Sequence, residues 1–278
     1  MAGKQDLLLL IDVGNTNIKV GLADADAIRQ SFVLPTNYQE TRDTFGLQIV
    51  DLCRYLQLSA GDLKAWMVSS VVPQMNTLIR QAGEAYSGCP VYFAPEDIPL
   101  PLVNHYTLPA EVGADRLVTA YAARELFNTP GLMVVDFGTA TTVECVQDRG
   151  YLGGLICPGV LSSLQALGGK TAKLPRISLD LESTDIRIGV STVQSLTQGF
   201  VFGFASMIEG VCERLKKNLQ GEVTVVATGG FAGKIQPVCP CLHAVREDLL
   251  LTGLLLALKN ETNALQSAHT GGGYERDY

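Results

Sequence analysis

Strand-like and helix-like segments alternate along this 278-residue chain and predict an α/β fold. A second observation is internal. A strand, an Asp-x-Gly turn and another strand surround Asp12, and the same unit returns around Asp136, 124 positions later. The third is composition: 47% hydrophobic and 18% charged residues can bury a core and do not suit a disordered chain. The length fits one large or two modest domains. The single long-range repeat favours two domains of related topology over a solenoid, whose period is far shorter.

Each element has its own signal. Leu7–Ile11 is a continuous apolar run, read as a buried strand, and Ile18, Val20 and Leu22 alternate as a half-buried one. The polar turn Asp12-Val13-Gly14-Asn15-Thr16-Asn17 between them makes a hairpin. Residues 28–34 form a third strand, 41–56 have helical spacing, and 65–72 form a strand that Pro73 ends, since proline cannot donate to a ladder. In the second half, 113–127 reads as a helix. Leu132-Met133-Val134-Val135 then runs into Asp136-Phe137-Gly138-Thr139-Ala140-Thr141, and Val143, Cys145 and Val146 continue beyond the turn. Apolar residues at 193, 196, 200, 204, 208, 211 and 215 mark one face of a long helix. Residues 222–227 form a strand ending in Thr228-Gly229-Gly230, 249–258 a buried helix, and 266–278, with three consecutive glycines, a frayed tail.

Charge and cysteine usage narrow the function. Lys and Arg total 21 against 28 Asp and Glu, a net charge of −7 with no basic run, which disfavours nucleic acid and anionic membrane as partners. The leucine run at 7–11 stops at Asp12, well short of a signal-peptide core, and 249–258 is shorter than the ~18 apolar residues of a membrane span. Seven scattered cysteines read as reduced thiols of a cytoplasmic protein. Cys239-Pro240-Cys241 and His243 cluster, but without two further ligands at zinc spacing they read as ordinary loop residues.

The two turns are the strongest chemical signal. Glycine lets a phosphate approach the backbone, N–H groups and hydroxyls can cradle its oxygens, and the neighbouring carboxylate can hold a cation or its waters. Turn geometry alone also explains one such turn. Two in matching positions favour a nucleotide cleft between the halves. Gly169-Lys170-Thr171 is not a P-loop, because Leu164 stands where its first glycine belongs, and no dinucleotide fingerprint follows a strand. Thr228-Gly229-Gly230 suits either a purine or ribose against bare backbone, or a plain strand-to-helix turn. Gly113-Ala114-Asp115-Arg116 opens a helix, whose positive end favours an ionised Asp115 able to accept a hydroxyl proton, beside an arginine able to bind a carboxylate. A capping Asp with a surface ion pair is the plainer alternative for those four residues.

Taken in order, Asp12 to Asn17, Ser70-Val71-Val72-Pro73, Gly113 to Arg116, Asp136 to Thr142, Gly153-Gly154-Leu155-Ile156-Cys157-Pro158-Gly159, Thr171-Ala172-Lys173-Leu174-Pro175 and Thr228-Gly229-Gly230 closely resemble type III pantothenate kinases. The likeness runs from about residue 7 to residue 258. It implies two ribonuclease-H-like domains of the acetate and sugar kinase, heat-shock ATPase and actin superfamily. The expected division is 1–112 with the first phosphate loop, 113–265 with the second loop and the catalytic Asp, and a tail from 266 to 278. It further implies ATP-dependent phosphorylation of pantothenate, the first step of coenzyme A synthesis. Carried over from the family, Asp12, Val13, Gly14, Asn15, Thr16, Asn17, Ile18 and Lys19 handle ATP phosphates with help from Thr139. Asp115 is the general base, and Tyr106, Gly113, Ala114, Arg116 and Thr192 join it in binding pantothenate. Asp136 is the ligand of a monovalent cation, potassium or ammonium, beside Mg-ATP, and family members are homodimers. Two departures stand out: Glu144 occupies a position where many relatives carry Asp, and the segment Tyr106-Thr107-Leu108-Pro109 is looser than usual. Competing readings are a sugar or short-acid kinase of the same superfamily, a non-catalytic transcriptional regulator like the Bvg accessory factor, and an ATP-driven chaperone or filament protein.

Overall fold

In the computed structural model, residues 7–170 and 178–270 are described, with only the backbone given for 168–170 and 262–270. The motif Thr171-Ala172-Lys173-Leu174-Pro175 and residues 271–278 lie outside the described residues. The chain divides into two units: Met1–Leu100 with Gly113–Val118 and Leu250–Tyr278, and Pro101–Val112 with Thr119–Leu249.

Apolar alternation builds the first unit. β1 (Leu7–Val13) and β2 (Asn17–Ala23) form the hairpin that the sequence predicts, and β3 (Ile28–Pro35) pairs antiparallel on β2. α1 (Arg42–Tyr55) leads to β4 (Leu63–Ser70), parallel to β1, and α2 (Pro73–Ser87) leads to β5 (Val91–Phe93), parallel to β4. The sheet order is β3-β2-β1-β4-β5. α1 begins where Thr41 and Thr44 exchange side-chain-to-backbone hydrogen bonds, a reciprocal cap that satisfies two end N–H groups. β4 already stops at Ser70, three residues before Pro73, whose missing N–H could not extend the ladder but which also opens α2, where that N–H has no helical acceptor to lose. Sequence reading stops at the first consequence and misses the helix.

On β1, Leu9, Ile11 and Val13 join the main core of this unit, together with Trp66 and Val68 of β4. Asp12 faces the other side by strand alternation. Phe45 meets Trp66 edge-on at 6.3 Å, and the buried indole N–H of Trp66 donates to Ser87 Oγ at 3.2 Å. Burial of large apolar groups contributes roughly 1.5–3 kcal/mol each, and the indole hydrogen bond removes the penalty of a stranded donor.

The second unit repeats the plan. β6 (Val103–Asn104) precedes α3 (Ala114–Leu126), whose first turn is grouped with the first unit. β7 (Gly131–Phe137), β8 (Ala140–Gln147) and β9 (Gly150–Pro158) form an antiparallel meander. α4 (Val160–Lys170) and α5 (Thr192–Leu215) follow, then β10 (Val223–Thr228), α6 (Ala232–Ile235) and β11 (Ala244–Val245), and the chain then returns to the first unit as α7 (Leu249–Thr270). The sheet order is β11-β10-β7-β8-β9-β6. Counted from β7, its third, second, first, fourth and fifth strands lie side by side as they do from β1, with β6 added outside β9. The sequence repeat is therefore a repeat of topology.

Two details depart from expectation. Along α5 the buried stripe is Thr197, Val201, Ala205, Ile208 and Cys212, while Phe200, Phe204, Val211 and Leu215 flank it half-buried. Apolar residues cover too much of this helix for periodicity to fix the centre of its buried face. α7 continues through Thr270, past Gln266, where the sequence reads as a frayed end.

Candidate functional site

The first unit gathers its site at the carboxyl ends of β1 and β4, the edge at which open α/β sheets bind ligands. Asp12 stands opposite Lys19 on β2 and Ser69 on β4. Beyond it the hairpin tip folds on itself, with the Gly14 N–H donating to the Asn17 carbonyl at 3.0 Å. The end of β3 braces the tip. Thr36 Oγ1 donates to the Gly14 carbonyl at 2.6 Å, the Thr36 N–H to the Thr16 carbonyl at 3.0 Å, and Tyr38 Oη to the Asn15 carbonyl at 3.2 Å. Asn15, Thr16 and Asn17 stay exposed, so their polar atoms are offered outward from a fixed backbone.

Val71 links this tip to the head of α3. Its N–H donates to the Val13 carbonyl at 3.0 Å. A Cβ built on Gly113 would lie 3.2 Å from Val71 Cγ1 and would press on Asp115 Oδ1, so a larger residue there would displace the Asp115 carboxylate. Asp115, half-buried in the first turn of α3, accepts a hydrogen bond from the Arg116 N–H at 2.8 Å. The carboxylate is thus fixed beside the N-terminal amides of its helix, where a negative charge is favoured. Residues 12–19 and 113–116, about a hundred positions apart in sequence, share one edge of one unit.

In the second unit Asp136, next to last on β7, stands opposite Thr142 on β8 and Thr228 on β10. Gly229 has φ +88°, and a Cβ there would strike Asp136 Oδ1 and lie 2.6 Å from the Phe137 carbonyl oxygen. Thr228-Gly229 therefore closes against Asp136 in a way few other residues permit. The second turn is braced like the first: Ser162 Oγ donates to the Thr139 carbonyl, and the Thr139 side chain stays exposed. Tyr106 packs its ring against Gly153 of β9, and its N–H donates to Asn104 Oδ1 at 3.0 Å. Thr192 is exposed at the first position of α5, following the capping Ser191. Beside it, a 260 Å³ cavity lies between the 180–190 segment and the first turns of α5, with Arg187, Gln194 and Thr197 in its wall.

Glu144, singled out in the sequence for its length, is buried on β8 and accepts a hydrogen bond from Tyr151 Oη at 2.6 Å. Among the described residues, no three or more His, Cys, Asp and Glu side chains group in a way that could hold a metal ion. The oxygen-rich surroundings of Asp136 suit a hard cation, not a transition metal. Sequence reasoning missed Thr36, Tyr38 and Ser162. Each acts through a contact with backbone more than twenty positions away, which no local pattern announces.

Residues 8–214 match the sequence profile of the type III pantothenate kinase family. The chain belongs to that family. It is 55% identical over 249 residues to the type III pantothenate kinase of Nitratidesulfovibrio vulgaris (strain Miyazaki F), covering 89% of this chain and 95% of the relative. A more distant member from Finegoldia magna is 37% identical over 254 residues, covering 90% and 96%. Among solved structures, a Campylobacter jejuni protein assigned to the Baf family of transcriptional activators superposes with a TM-score of 0.57 at 17% identity, over 92% of this chain and 99% of that one. A Listeria monocytogenes protein assigned as an N-acetylmannosamine kinase gives 0.51 at 11%, over 92% and 100%. At such identities the structures share a fold only.

Proposed function

We propose that this chain transfers the terminal phosphoryl group of ATP to the primary hydroxyl of pantothenate, giving phosphopantothenate for coenzyme A synthesis. The observation that carries the reading is the shared edge of the first unit, where Asp115 and the Asp12 hairpin tip are tied together through Val71. A phosphate-binding turn beside a fixed carboxylate is what transfer to an alcohol requires.

In this reading, residues 12–19 bind the ATP phosphates, with a further contact from Thr139. The outward-facing atoms of Asn15, Thr16 and Asn17 and the half-buried Lys19 suit that task. The Ser69 hydroxyl, buried with no protein partner and paired in register with Asp12, is a further polar atom available on that edge. Asp115 orients the pantothenate hydroxyl and accepts its proton, Arg116 binds the substrate carboxylate, and Gly113, Ala114, Tyr106 and Thr192 shape the pocket. Asp136, with the Phe137 carbonyl and Thr228 close by, holds potassium or ammonium. When bound, Mg²⁺ and the monovalent cation supply positive charge to a loose phosphoryl-transfer transition state, in which catalysis is mainly positioning and charge stabilisation. The enzyme acts in the cytoplasm as a homodimer, as its family resemblance implies. No helix among the described residues is long and apolar enough to cross a membrane.

A coupled ADP-release assay over a substrate panel tests the proposal. Release with pantothenate, and far less with N-acetylmannosamine, glucose or acetate, supports it. Preference for a sugar moves the chain to another kinase class, and silence with every acceptor favours the regulator reading.

A further inference from the structure

Three thiols of the second unit meet between α5 and the segment that follows α6. Cys239 and Cys241 follow α6, and Cys212 lies on α5. Cys239 Sγ is 3.5 Å from Cys241 Sγ and 3.7 Å from the Ala205 carbonyl oxygen of α5. Cys212 and Cys239 are fully buried, whereas Cys241 reaches solvent in part. His243 lies two residues on, its Nδ1 accepting the Val225 N–H at 2.8 Å. Thiols that share hydrogen bonds ionise unequally, because the charge settles on the sulfur with the most donors and the nearest cations. Hydrogen bonds from Cys212 and Cys239, reinforced by Lys216 and His243, hold Cys241 below the usual thiol range although its burial opposes this. Its two thiol partners are pushed up. Burial likewise pushes Cys89 and Cys145 up to about 11.

From this arrangement we infer that Cys241 is a hydroperoxide-reactive thiol and that Cys239 resolves it into a reversible disulfide. Nothing in pantothenate phosphorylation uses either sulfur. In the first step the Cys241 sulfur attacks the peroxide; an S–O bond forms, the O–O bond breaks, and the departing hydroxide leaves as water after taking a proton. In the second, Cys239 gives up its proton and attacks the sulfenic sulfur; the S–S bond forms, the S–O bond breaks, and a second water departs. Two thiols lose two electrons and hydrogen peroxide gains them. The sulfurs close from 3.5 Å to about 2.05 Å within a three-residue loop segment.

The test is a hydrogen peroxide titration of the intact wild-type protein, followed by differential alkylation and peptide mass spectrometry. Cys157, also partly exposed, is the internal control. Cys241 should lose alkylation at about one-tenth the peroxide that Cys157 requires, as thiolate-controlled reactivity predicts. The peptide carrying residues 239–241 should become two hydrogens lighter and regain them with dithiothreitol. In Cys239→Ser, Cys241 should accumulate as a dimedone-reactive sulfenic acid. Equal sensitivity of Cys157 and Cys241 overturns the inference, as does a disulfide mapped to Cys212. If the variant does not fold, the wild-type map decides by itself.

Discussion

Asp115 is held by the Arg116 N–H and by a glycine at 113 that nothing larger could replace without striking it. Asp115→Asn keeps that shape and removes the base. Turnover should fall by ~10²–10⁴-fold, the usual weight of a positioned general base. ATP affinity, followed by nucleotide fluorescence, should stay within a few-fold of wild type; unchanged turnover removes Asp115 from the role. Gly229 tests the second turn. Ala there must adopt φ +88° and press on Asp136 and the Phe137 carbonyl. Strain of this kind costs about 1–3 kcal/mol, and the half-activating potassium concentration should rise. A potassium titration identical to wild type would detach Gly229 from the cation. At this scale the sequence is explicit about residue types but silent on their supports. Asp12, Asp115 and Asp136 stand out in it, whereas Thr36 and Tyr38 look like ordinary loop residues until β3 carries them to the hairpin tip.

The hairpins β1–β2 and β7–β8 were legible because the same strand–turn–strand pattern occurs twice with the same turn. α3 was legible from its glycine start. α2 is hidden in the sequence because a proline signals the end of a strand as readily as the start of a helix, and β9 because Gly153 and Gly154 dilute the alternation that marks a strand. Close packing of α2 gives a sharp prediction. A Cβ on Gly83 would collide with Val91 Cγ2 and lie 3.2 Å from the Trp66 ring. Gly83→Ala should destabilise by about 1–3 kcal/mol, as overpacked cores do, despite alanine's better helix propensity. Denaturant melting checks this, and a stabilised variant would show that α2 has room to shift. At the head of α1, Thr41→Ala removes the reciprocal cap and should cost about 1 kcal/mol in the same assay. A midpoint equal to wild type would show that water replaces the lost hydrogen bonds.

For the whole molecule, the repeated strand order explains how one chain can present two equivalent turns, each braced from outside its own hairpin. The sequence repeat announces that duplication, but not the assignment of the first turn of α3 to the first unit and the remainder to the second, which depends on long-range packing. If Asp136 holds potassium or ammonium, replacing both with sodium should abolish most activity, and dialysis back into potassium should restore it. Full activity in sodium counts against that assignment. The most direct measurement is incubation with pantothenate, ATP, Mg²⁺ and potassium, with the product read by mass spectrometry. The account predicts a pantothenate species heavier by one phosphoryl group, formed in step with ADP and carrying it on the primary hydroxyl. ATP left intact, or ADP formed without any phosphorylated pantothenate, would contradict it.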